Sequence, residues 1–232
     1  MTQKAKVKNS DKNRQMTIIG GIVVAAIAIF GIVLYFASPN VGSLNYEGVY
    51  AERTDDGAFI LGDPDAPITV VAWEDFLCPH CQSYQSTVKK FIQDYVFTGQ
   101  ARFEFRMLPI STQSQFIFGL VECAAEVQDD PLAFWPAHDA MFRLTTTNGA
   151  SIDGADFARE IGVPYSELLD CAETADQFQI DQQLASQQNN QITGTPAVAW
   201  RDNTGRLRLD VINRQPNNEQ LANLVEVFGQ LP

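Results

Sequence analysis

The 22 residues from Met16 to Ala37, MTIIGGIVVAAIAIFGIVLYFA, contain no charged side chain. As a helix this run extends about 33 Å and matches a hydrocarbon core of about 30 Å. Its flanks orient it. Residues 1–15 carry Lys4, Lys6, Lys8, Lys12 and Arg14 against Asp11, a local +4, and because the whole chain sums to −12 the remainder carries −16. The positive-inside bias predicts residues 1–15 in the cytoplasm, a transmembrane anchor over 16–37, and everything from residue 38 outside the cell membrane. A cleaved signal peptide is the alternative, but its apolar stretch usually runs about 7 to 15 residues, and this run is longer. A retained, single-pass signal-anchor is therefore expected. Gly20 and Gly21 form no GxxxG pattern, so no helix dimer is read from them. The acidic bulk argues against nucleic acid binding, since a phosphate backbone calls for Lys and Arg.

Residues 38–57 mix Pro, Gly, Asn and charges with scattered apolar residues and read as a linker, too short to be a dimerisation domain, so a monomer is expected. The turn-rich GDPDAP at 62–67 then precedes Ile68 to Trp73, a near-continuous apolar, β-branched run that predicts a strand buried on both faces. Tyr84, Val88, Phe91, Ile92 and Tyr95 fall at helical spacing, and Phe103 and Phe105 alternate with Arg102, Glu104 and Arg106 as a second strand. From Ser111 to about Asn190 the pattern is helical, broken at Pro131, Pro136, Gly149 and Gly162, which predicts three or four helices. Ala197–Trp200 and Leu207–Ile212 read as a hairpin, and Asn217–Phe228 as a closing amphipathic helix. The expected fold class is α/β: four strands, a βαβ half and a ββα half, with a helical insertion at about 111–190 inside one domain spanning 58–232.

Cys78, Pro79, His80 and Cys81 stand where the first buried strand ends and a helix begins. Free backbone N–H groups and the positive end of the helix dipole meet there, which favours a thiolate at Cys78, with His80 able to add positive charge or a hydrogen bond. A dithiol whose reduced form is stabilised in this way is an oxidant. A zinc site would need a second pair of ligands, and no further CxxC or HxxxH occurs; covalent haem attachment needs His after the second Cys, and residue 82 is Gln. A purely structural disulfide explains the placement poorly. No cofactor is implied.

GDPDAPITVVAWEDFLCPHC followed by a helix, a helical insertion, and then Gly194, Thr195 and Pro196 before the last hairpin resembles the DsbA-like thiol-disulfide oxidoreductases of the thioredoxin superfamily, and among them the membrane-tethered members. The likeness covers about residues 58–232. It implies a thioredoxin fold, a cis peptide at Pro196 lying against the CxxC with Thr195 beside it, substrates that are thiols of exported or unfolded proteins, and a quinone-linked membrane reoxidase as partner. In one respect the sequence departs from the pattern. Thioredoxin-like strands commonly place a buried acid six residues before the first active-site Cys, and here that residue is Ala72. Glu74 lies on the same strand face and is the candidate substitute, whereas Asp75 reads as a surface or capping residue.

Cys123 and Cys171 lie 48 residues apart in the helical insertion. With the CxxC pair spoken for, and the domain placed outside the cytoplasm, they are expected as a structural disulfide, with two free buried thiols the alternative. His138 reads as an ordinary core or surface histidine. Phe134, Trp135 and Phe142 read as helix packing, with an exposed subset available to line a substrate groove. Two functional classes follow: an oxidase that introduces disulfides, with isomerase or reductase as its enzymatic variants, or a non-catalytic thioredoxin-like subunit of a membrane complex. The Cys78, His80, Cys81, Pro196 set favours the oxidase.

Overall fold

The computed structural model describes residues 43–188, 191–209 and 215–228. The expected span at 16–37 lies outside these residues; among the described residues no helix is long and apolar enough to cross a membrane. Chain contacts divide the protein at Gly42, and the sheet and helices described belong to the unit that begins at Ser43.

One six-stranded sheet organises this unit. Its strands are β1 (Ala51–Arg53), β2 (Phe59–Leu61), β3 (Thr69–Glu74), β4 (Arg102–Met107), β5 (Ala197–Arg201) and β6 (Leu207–Arg208), in the spatial order β1-β2-β4-β3-β5-β6. The central β3 runs parallel to β4 and antiparallel to β5, and all six of its residues are buried, as its apolar run predicts. Two strands were not expected. The segment read as a linker supplies β1, and Leu44 and Tyr46 ahead of it are buried in the core, so the linker reading fails from Leu44 onward. At three residues each, β1 and β2 are too short for alternation to register.

The helices are α1 (Pro79–Phe91), continued by a π-helical turn at Ile92–Val96, then α2 (Thr112–Gln128), α3 (Phe134–Asn148) after a 3₁₀ turn, α4 (Gly154–Ile161), α5 (Tyr165–Ala172), α6 (Gln177–Ser186) and α7 (Asn218–Phe228). Among the described residues the insertion holds five α-helices, α2 to α6, rather than three or four: Gly162 breaks the pattern as expected, and the stretch after Ala172 adds a break that was not expected. On one sheet face Val70, Ala72, Phe103 and Phe105 join the core formed with α1, α2, α3 and α7. On the other, Val71, Trp73 and Ala199 pack with Ala185 of α6.

The alternation in β4 misleads in an informative way. Its polar positions face α6 rather than water: Glu104 and Arg106 are 0% and 1% exposed. They are tolerated because they are paired. Arg106 donates to Glu104 at 2.6 Å and to Asp181 of α6 at 2.9 Å, Arg201 donates to Glu104 at 2.7 Å, and Asp181 also accepts the Met107 amide at 2.8 Å. The charges on this face fasten the end of the insertion to the sheet.

Candidate active site

Glu74 ends β3, and Asp75, Phe76 and Leu77 turn the chain into α1, whose N-cap is Cys78. Pro79 occupies the first helical position, where its missing N–H costs nothing. The Cys78 side chain caps no helix amide, and the first helical bond runs from the Gln82 amide to the Cys78 carbonyl at 3.0 Å. Cys78 and Cys81 stand as free thiols, 6% and 0% exposed, so the first has an edge at the surface and the second has none.

Thr195 and Pro196 come to this point from the far end of the chain. The peptide between them is cis, and the Cys78 thiol donates to the Thr195 carbonyl at 3.4 Å. Thr195 therefore meets Cys78 through its backbone carbonyl, with Pro196 the next residue in the chain. His80 lies exposed on the first turn of α1, with its carbonyl accepting from the Ser83 hydroxyl at 2.9 Å. Among the described residues no group of His, Cys, Asp and Glu could hold a metal ion.

Behind the thiols is a layer of buried acids. Glu74 is fully enclosed, and the Gln85 amide donates to its Oε2 at 2.6 Å, while its Oε1 meets no partner among the described residues. Burial pushes its carboxyl up to about 8, against the hydrogen bond from Gln85. The Cys81 thiol is pushed far above its ordinary range, by burial first and by the charge of Glu74 second. The sequence offered a signal for Gln85 too, since it is a polar residue inside the stripe Cys81, Tyr84, Val88 that α1 buries.

Asp75 overturns the surface reading. It is 0% exposed and accepts the Leu77 amide at 2.6 Å and the Ile110 amide at 2.7 Å, while its own amide donates to Cys81 Sγ at 3.5 Å. Phe134, Trp135 and Phe142 also turn inward. They ring His138, itself 1% exposed, so no substrate groove is lined by them. Cys123 and Cys171 are joined as a disulfide between α2 and α5.

A family model described as thioredoxin matches residues 54–205, well over half of the chain. The chain belongs to the thioredoxin family. Disulfide bond formation protein D of Bacillus subtilis is 29% identical over 159 residues, covering 64% of this chain and 71% of that protein. The oxidised crystal structure of BdbD from Bacillus subtilis aligns with a TM-score of 0.61 at 22% identity, covering 74% of this chain and 92% of that one. DsbA2 of Pseudomonas aeruginosa aligns with a TM-score of 0.58 at 27% identity, covering 72% and 91%. Within its family the protein is a DsbA-like thiol-disulfide oxidoreductase.

Proposed function

We propose that this thioredoxin-family chain is a dithiol oxidase that introduces disulfides into exported polypeptides, with Cys78 as the attacked sulfur and Cys81 as the leaving sulfur. The observation that carries the reading is the inequality of the two cysteines. Cys78 has an exposed edge at the positive end of α1, and Cys81 is sealed beneath it beside a buried acid.

In the oxidised enzyme a substrate thiolate attacks Cys78 Sγ, the Cys78–Cys81 bond breaks, and its electron pair goes to Cys81 Sγ. A thiolate there has no solvent, so Glu74, neutral at pH 7 with its carboxyl near 8, gives it a proton. A second substrate thiolate then attacks the substrate sulfur of the mixed disulfide and displaces Cys78, whose sulfur takes the electron pair of the broken bond. The substrate leaves with a new disulfide, and the enzyme keeps two electrons. The Thr195 carbonyl beside Cys78 offers an acceptor to an incoming chain, with Pro196 next to it, and His80 lies exposed on the helical turn that Cys78 caps. A quinone-linked membrane reoxidase takes the two electrons away. The charge-free run at 16–37, with basic residues before it and an acidic body after it, supports an anchored enzyme whose catalytic unit is extracytoplasmic.

The reduction potential of the Cys78/Cys81 couple, measured against glutathione, tests the direction of the reaction. An oxidase lies toward about −120 mV and a reductase near about −270 mV. A value at the lower end would replace this reading with reductase.

A further inference from the structure

Resting on the reading of Cys78 as the reactive sulfur, we propose that Asp75 is a positioning residue that sets the register between the Cys78 turn and the start of the helical insertion, where the substrate chain is held. Two segments far apart in sequence give their backbone N–H groups to one carboxylate. Leu77, the residue before Cys78, donates to Oδ1 at 2.6 Å, and Ile110, the residue before the α2 cap, donates to Oδ2 at 2.7 Å. The backbone of Asp75 is committed to the same turn: its carbonyl accepts the Cys78 amide at 3.1 Å, and its amide points at Cys81 Sγ. The next residue, Phe76, joins the same turn to the insertion by packing, with its ring 5.1 Å from Phe118 and 4.6 Å from Phe142, whereas Asp75 joins them by hydrogen bonds.

The chemistry of the pairing explains why this residue is an acid. A buried backbone N–H without a partner costs about 1–3 kcal/mol, and a carboxylate can satisfy two at once where a neutral amide presents only one accepting oxygen. Glutamate would carry the oxygens one methylene too far to reach both donors. What is brought into register is an apolar rim. Ile110 is 56% exposed and Phe116, on the first turns of α2, is 41% exposed; among the described residues of the insertion Ile180 on α6, at 39%, is the other large apolar side chain exposed to a like degree. Ile110 shares the Asp75 carboxylate with the residue before Cys78, so a polypeptide with a thiol at Cys78 meets the rim first at Ile110, and the distance from Ile110 to the sulfur decides how well the chain is held.

Two measurements test the assignment. In the wild-type protein, through-hydrogen-bond NMR couplings should connect the Asp75 carboxylate carbon to the amides of both Leu77 and Ile110. Absence of either overturns the clamp whatever any variant does. In Asp75→Asn, KM for a peptide dithiol should rise about tenfold with kcat within about twofold, the signature of lost holding rather than lost chemistry, and Asp75→Ala should raise it further. Ile110→Ser keeps the amide and alters only an exposed side chain, so it should fold, keep the couplings and raise KM as well. Unchanged KM in Ile110→Ser, or a fall in kcat at constant KM in Asp75→Asn, overturns the positioning role. Cys78→Ser separates the two readings: if it retains turnover, the proposed function fails while the couplings persist.

Discussion

Glu74 places a carboxyl group where water does not reach, and this has opposite consequences for stability and for catalysis. Burial moves its carboxyl from its ordinary 4.5 to about 8, so the folded chain holds a proton that the unfolded chain releases across that interval. The associated stability is fully present below pH 4.5 and is lost as pH rises toward 8, at about 1.4 kcal/mol for each unit. Glu74→Gln keeps an oxygen for the Gln85 amide but cannot ionise. Chemical denaturation at a series of pH values should find the variant equal to the wild type at pH 4 and more stable by a few kcal/mol at pH 8. Stopped-flow reduction at pH 7 should run the other way, with release of Cys81 slowed on the order of a hundredfold for want of a proton donor. A wild-type rate in that variant would remove Glu74 from the reaction. The sequence already carried this residue, because two-residue alternation from Ala72 brings Glu74 to the face that α1 covers. Asp75 was not legible in the same way. It follows the strand, where alternation no longer applies, and what draws it inward is a pair of amides, one of them 35 residues away.

The helices of the insertion are held to one another by a covalent bridge and by a close approach. Cys123 on α2 meets Cys171 on α5, and beside them a Cβ at Gly119 would stand 3.4 Å from that of Ala172, so a small residue is what lets the two helices come together. The bridge closes a loop of 48 residues within the insertion. Replacing both cysteines by alanine should lower unfolding stability by about 2 to 4 kcal/mol and leave thiol oxidation largely intact. Urea titration beside a turnover assay would check both halves, and a matched loss of turnover in a folded variant would make this pair part of the redox chemistry. Elements with a strong period were legible from the start: β3 by its apolar run, α1 by its buried stripe, α7 by Leu221, Leu224 and Val225. The misreadings share one cause. β1 is held by pairing with β2 and β2 by pairing with β4, the polar face of β4 is covered by α6, and none of these partners is visible within the segment itself.

At the scale of the whole molecule the charges are segregated. Five of the sixteen basic residues lie in the first fifteen positions, and the 195 residues after Ala37 carry −16. Lysine is nearly absent from that body, where only Lys89 and Lys90 occur. Lys89 is drawn into the interior at 3.3 Å from Asp139, and Lys90 pairs with Asp94 at 2.7 Å; of the nine arginines in the body only Arg53 falls within twenty residues after Ala37, against five basic residues ahead of Met16. An oxidase acting on exported chains also needs its CxxC in a compartment that does not reduce it. Both arguments demand the same orientation. Protease added to intact cells or spheroplasts should remove the unit that begins near Ser43 and spare an epitope placed within residues 1–15, and disruption of the membrane should expose both. Neutralising Lys4, Lys6, Lys8, Lys12 and Arg14 together should weaken the bias and give a mixed population. Full protection of the catalytic unit in intact spheroplasts would reverse the orientation, and with it the case for an oxidase of exported proteins.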